Sequence, residues 1–80
     1  MYLITFHSQF DSNIFKRSMT QYGKVKQKPV PRNLSSSCGT CCEFEPDSTR
    51  SISDLIRDMS FERVFVIGEN DTFTLLFEKE

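Results

Sequence analysis

Three cysteines fall within five residues of this 80-residue chain, in the segment Cys38-Gly39-Thr40-Cys41-Cys42. Three kinds of chemistry suit such a group. A thiolate is a nucleophile where a thiol is a poor one, so a loop cysteine beside positive charge can accept a group and pass it on. Cys38-x-x-Cys41 also has a zinc or iron–sulfur spacing, with Cys42 as a third sulfur and His7 as the candidate fourth donor. A closed structural site takes four protein ligands, and there is no second Cys-x-x-Cys, so one copy is incomplete unless a dimer shares the metal. Packing is the third use, because a free cysteine behaves as a small hydrophobe. An odd count packed into one place does not build a disulfide framework, and it points to a reducing, cytoplasmic setting.

The three sulfurs differ in setting. Cys38 ends a polar loop, Pro29 to Ser37, reading Pro-Val-Pro-Arg-Asn-Leu-Ser-Ser-Ser. Packing explains Cys38 least. A thiolate there would draw on Arg32 and on the free amides of a helix beginning near Ser8, with His7 as a neighbour. Gly39 would give a partner close access to the sulfur and would permit an unusual backbone angle. Ser35, Ser36 and Ser37 are turn residues whose hydroxyls and amides could hold an anion. Cys41 is a candidate resolving thiol, able to discharge an adduct on Cys38 by forming a disulfide with it.

Positioning these residues requires an ordered scaffold, and the pattern supplies one. Tyr2 to His7 alternates as a strand. Ser8 with Asp11 three residues on resembles a capping box, and Phe10, Ile14, Phe15, Met19 and Tyr22 recur at helical spacing up to a stop at Gly23. Lys24 to Pro29 reads as a second strand, with Val25 and Gln27 opposite three lysines. Cys41 to Glu45 reads as a third, in which Phe44 puts Cys42 inward and Cys41 outward with Glu43 and Glu45. Ser48 or Thr49 is the expected cap of a second helix facing the core with Ile52, Leu55, Ile56 and Met59. Arg63 to Ile67 is a fourth strand. The turn residues Gly68 to Asp71 then lead into a fifth over about 72–77. This order suits an α+β, ferredoxin-like βαββαβ sandwich with an additional C-terminal β-strand, residues 1–80 forming a single domain with its core in 2–67. In that topology the first two strands run the same way. The cysteine loop then sits at the end of the sheet that carries His7 and the start of the first helix.

Composition excludes several function classes. No run approaches the ~18 apolar residues of a membrane span. The opening Met1 to Phe6 lacks the basic region and longer apolar stretch of a secretory signal. Between Ser12 and Cys42 there are bases (Lys16, Arg17, Lys24, Lys26, Lys28, Arg32) and no acid, while acids predominate from Glu43 onward. That split suggests an anionic ligand or partner, although alternating lysines on an edge strand also discourage aggregation. No nucleic-acid partner is expected, because no RNP-type aromatic motif accompanies the bases. A Ser/His/Asp triad, a paired acidic site, a phosphate-binding glycine loop and a Rossmann fingerprint are all absent.

At Pro29-Val-Pro31-Arg32, the serine turn and Cys38-Gly39, preceded by Phe6-His7-Ser8 at the end of the first strand, the chain resembles a family of small bacterial proteins described as Se/S carrier-like. The resemblance covers roughly residues 2 to 67. It implies a carrier or accessory protein rather than an enzyme, holding a persulfide or selenosulfide on Cys38. It also implies partner proteins that donate or accept sulfur or selenium, and no cofactor. The pair Cys41-Cys42 and the last strand depart from the family pattern. Two other readings stay open: a non-catalytic protein-interaction module that recruits another chain (a second copy in a homodimer, for example) along an exposed strand, and a small metal- or cluster-binding protein.

Overall fold

The computed structural model describes residues 1–47 and 50–79. It is an α+β arrangement: β1 (Tyr2–Thr5), α1 (Gln9–Met19), β2 (Gly23–Pro29), β3 (Thr40–Pro46), α2 (Ile52–Ile56), β4 (Arg63–Ile67) and β5 (Phe73–Glu78). The strands form one sheet in the order β2-β3-β1-β4-β5, with every neighbouring pair antiparallel. This is one strand more than a plain four-stranded ferredoxin-like sheet. Because β3 is antiparallel to both β1 and β2, those two strands run the same way and end at the same edge.

Register builds the core. Ile4 of the central strand lies opposite Cys42 on one side and Val64 on the other, so the three side chains share the helix face. Phe15 of α1 enters that layer, edge-on to Phe6 (5.3 Å between ring centres) and to Phe44 (5.9 Å). Met19, Ile52, Ile56 and Phe61 complete it. The opposite face carries a second, smaller cluster of Leu3, Cys41 and Phe65, against which Val30, Leu34, Ile67 and Phe73 pack. The sheet is therefore covered on both sides, by helices on one and by the loop after β2 on the other.

Helix α1 starts where the sequence places it: Ser8 is extended, and its Oγ accepts the Asp11 amide at 3.2 Å. Its buried stripe, however, is Ser12, Phe15 and Met19. Phe10 is 69% exposed and Ile14 36%. At 100° per residue Phe10 lies about 140° round the helix from Phe15, so seating Phe15 between Phe6 and Phe44 turns Phe10 to solvent. The helix also ends earlier than expected, passing into a 3₁₀ turn over Thr20–Tyr22. Gly23 is the first residue of β2 rather than a helix stop. A Cβ there would run into the Glu45 carbonyl oxygen and sit 2.7 Å from Pro46 Cα.

Edge strand β2 carries Lys24 and Lys26 exposed, while Lys28 pairs with Glu43 at 2.7 Å. The expected cap of α2 at Ser48 or Thr49 lies outside the described residues; the N-cap position is Ser51. In the β4–β5 turn, Asn70 and Asp71 take positive φ (58° and 57°), a region that Asn and Asp enter more readily than most residues. A register shift opposite Val64 and Phe65 lets Phe73 and Phe77 serve opposite faces of the sheet despite their even spacing.

Candidate functional site

The loop from β2 to β3 is shaped by four anchors. Its ends are joined by the Val30 amide donating to the Gly39 carbonyl at 3.0 Å, and the Leu34 amide turns back to the Pro31 carbonyl at 3.1 Å. Val30 and Leu34 then fold over Leu3, Cys41 and Phe65, so burial of apolar surface holds this half of the loop down. The other half is held by polar contacts, and these converge on one residue.

That residue is Glu62, just ahead of β4 and only 8% exposed. Its Oε2 accepts the Ser37 hydroxyl at 2.7 Å, and its Oε1 accepts the Ser37 amide at 3.3 Å and the Ser36 hydroxyl at 3.0 Å. The Phe6 carbonyl, 3.2 Å from Ser36 Oγ, is a second acceptor for that same proton. His7 Nδ1 lies 3.6 Å from Oε2, and an Arg63 guanidinium nitrogen 4.0 Å from Oε1. Burial alone would raise the Glu62 pKa, but the hydrogen bonds from Ser37 and Ser36 and the nearby His7 outweigh it. The carboxyl is held below its ordinary value of 4.5 and stays ionised. The backbone of Glu62 is fixed as well: its N–H donates to the Thr5 carbonyl at 2.7 Å and its C=O accepts the Lys79 amide at 3.1 Å.

The donors of Ser36 and Ser37 are thus taken up by a side chain of the protein, the Glu62 carboxylate. Sequence reasoning missed Glu62 altogether. Among the acids of the C-terminal half the one signal available was its place between the aromatic Phe61 and the start of β4 at Arg63.

Cys38 follows this turn. It is half-buried, packs against the helix-side core, and donates its S–H to the Thr40 carbonyl at 3.2 Å. The Thr40 hydroxyl in turn donates to Gln9 Oε1 at the start of α1. His7, Ser8, Ser37 and the Cys38 loop are therefore gathered at one end of the sheet, as the topology required. Ser8 serves there as a helix cap. Arg32 is not gathered in: it is exposed and pairs with no carboxylate among the described residues. Gly39 has open space around it, which suits access to the neighbouring sulfur, but its φ is not positive, so the unusual backbone angle expected of it is not used.

The other two thiols are closed. Cys42 is fully buried on the helix face, 3.7 Å from Ser12 Oγ; burial raises its pKa against the opposing effect of that contact. Cys41, expected to point outward, does lie on the face away from the helices, but Val30 and Leu34 cover that face and leave it fully buried. Burial, partly countered by Lys28, pushes its thiol up to about 11. A Cys38–Cys41 disulfide would require Cys41 to leave this packing. All three thiols are free, and among the described residues no three His, Cys, Asp or Glu side chains converge to hold a metal.

Residues 1–64 match the family model described as "Putative Se/S carrier protein-like". The chain belongs to this family. The matched region takes in the serine turn, all three cysteines and Glu62, and it ends inside β4, so β5 lies beyond it. No curated protein and no solved structure matches the chain. Among the described residues no helix is long and apolar enough to cross a membrane.

Proposed function

We propose that this family member carries sulfur or selenium as a persulfide or selenosulfide on Cys38. The observation that carries the reading is the contrast among the thiols: Cys41 and Cys42 are fully buried with raised pKa values, and Cys38 alone sits half-open at the end of a polar turn. Loading is an exchange without net oxidation. The Cys38 thiolate attacks the terminal sulfur of a donor persulfide R–S–SH; the donor S–S bond breaks as the new one forms, leaving Cys38–S–SH and R–SH once protons are returned. A selenosulfide donor transfers selenium in the same way, and an acceptor thiol reverses the step. Donor and acceptor are partner proteins, and the chain acts as a carrier rather than an enzyme. Three free thiols suit a reducing, cytoplasmic compartment. The strand order β2-β3-β1-β4 with both helices on one face supports a ferredoxin-like βαββαβ unit extended by β5, with residues 1–80 as one domain.

A second reading, a non-catalytic interaction module, is favoured by exposed apolar side chains at Phe10 and Ile14 on α1 and at Leu75 and Leu76 on β5. One experiment separates the two. The reduced protein is incubated with a low-molecular-mass persulfide and the Cys38 peptide is weighed by mass spectrometry. The carrier reading expects one added sulfur on Cys38, released to an acceptor thiol and absent from Cys38→Ser. No uptake, or equal uptake by Cys38→Ser, refutes it. Partner capture that is unchanged in Cys38→Ser would belong to the interaction module.

A further inference from the structure

Cys38 owes its seat to a residue that is distant in sequence. The two residues immediately before it, Ser36 and Ser37, direct three donors at the Glu62 carboxylate. Glu62 is itself fixed to β1 through the Thr5 carbonyl and to the end of β5 through the Lys79 amide. Apart from the Phe6 carbonyl, Glu62 is the polar anchor that holds this turn to the rest of the fold among the described residues. The turn has no apolar side chain of its own: it consists of serines between Leu34, which packs on one face of the sheet, and Cys38, which packs against the other.

We propose that Glu62 is the positioning residue of the Cys38 site: its carboxylate clamps Ser36 and Ser37 to the end of β1, and the clamp holds the Cys38 sulfur half-buried, which limits its exchange with disulfides and persulfides. The transfer part of this statement rests on the carrier reading, whereas the clamp itself does not. The titratable and charged groups facing the carboxylate are His7, just after β1, and Arg63 from β4, the latter also held by Glu78 of β5 at 3.1 Å. A glutamine at position 62 presents one N–H₂ where the serines need an acceptor and removes the charge that strengthens the bonds. Protonating Glu62 has a similar effect, so acid should open the wild-type clamp and leave the glutamine variant unchanged.

The test follows modification of each cysteine by a pyridyl disulfide, which stays reactive in acid, resolved by mass spectrometry in the full chain. Glu62→Gln should raise the Cys38 rate at least about threefold at neutral pH while Cys41 and Cys42 remain protected. Wild type should show a matching rise, beyond that of the glutamine variant, as pH falls below the ordinary carboxylate range. Ser37→Ala, a change at an exposed residue, should reproduce part of the neutral-pH effect and serves if Glu62→Gln does not fold. Unchanged Cys38 rates in the variants, or Cys41 and Cys42 opening in parallel with Cys38, would overturn the proposal and leave Glu62 as an anchor of the fold alone. If Cys38 responds in this way but never accepts sulfur from a persulfide, the clamp stands and the carrier reading falls.

Discussion

Truncating Phe15 should bring the protein close to unfolding, whereas truncating Phe10, on the same helix, should do almost nothing. Phe15 is fully buried and touches two further rings, Phe6 and Phe44, edge-on. Phe→Ala at such a site costs about 3–5 kcal/mol, counting lost transfer free energy and the cavity left behind. Each lost edge-to-face pair accounts for roughly 0.5–1.5 kcal/mol of that. At about 0.05–0.15 kcal/mol per residue, a chain of 80 residues has only ~4–12 kcal/mol of total stability, so the loss is a large share of it. Phe10, 69% exposed, gives up little water-shielded area, and its removal should stay within about 0.5 kcal/mol. Urea unfolding followed by circular dichroism measures both. With a slope of roughly 1–1.5 kcal/mol per molar urea for a chain this small, Phe15→Ala should lower the midpoint by about 2–5 M, and Phe10→Ala by less than ~0.5 M. Equal losses, or a larger one for Phe10, would refute the orientation of α1 described above and restore the helical face read from the sequence.

In the native protein, a neutral alkylating reagent should modify Cys38 first and leave Cys41 and Cys42 intact until denaturant is added; early labelling of Cys41 would show that the Val30–Leu34 cover is not closed. The Glu62 carboxyl is held below its ordinary value of 4.5 in the folded state, so the unfolded chain binds its proton more tightly. Its contribution is present in full above the unfolded-state value and is lost as pH falls through the lowered folded-state value. The acid side of the stability profile should therefore be less steep in Glu62→Gln than in wild type, and identical slopes would count against an ionised, clamped carboxylate.

Much of the framework was legible because it depends on local chemistry. Val64 to Ile67 is an uninterrupted apolar run, and Arg63 to Ile67 folds as β4 with the limits expected. Ser8 caps α1 because a short hydroxyl side chain can reach the free amide of Asp11 whatever surrounds it. Alternation placed Cys42 inward beside Phe44, since neighbouring side chains of a strand must point to opposite faces. The Pro-x-Pro-Arg, serine and Cys-Gly order carried the family. What failed did so where a second segment decides. Helical spacing alone did not say whether Phe10 or Phe15 would face the sheet; the space between Phe6 and Phe44 settled it. Alternation sent Cys41 to the far side of the sheet, but only the loop folding back with Val30 and Leu34 made that side an interior.

Glu62 marks the boundary between the two kinds of information. By itself the sequence determined the order of strands and helices, which cysteine lies in a polar turn, and that the serine run is rich in donors. Only the tertiary structure decided what those donors bind, because an acceptor 25 residues away is brought to Ser37 by the pairing of β4 with β1. A carboxylate can be buried and remain ionised only where several donors converge on it, and that convergence is a property of the assembled sheet.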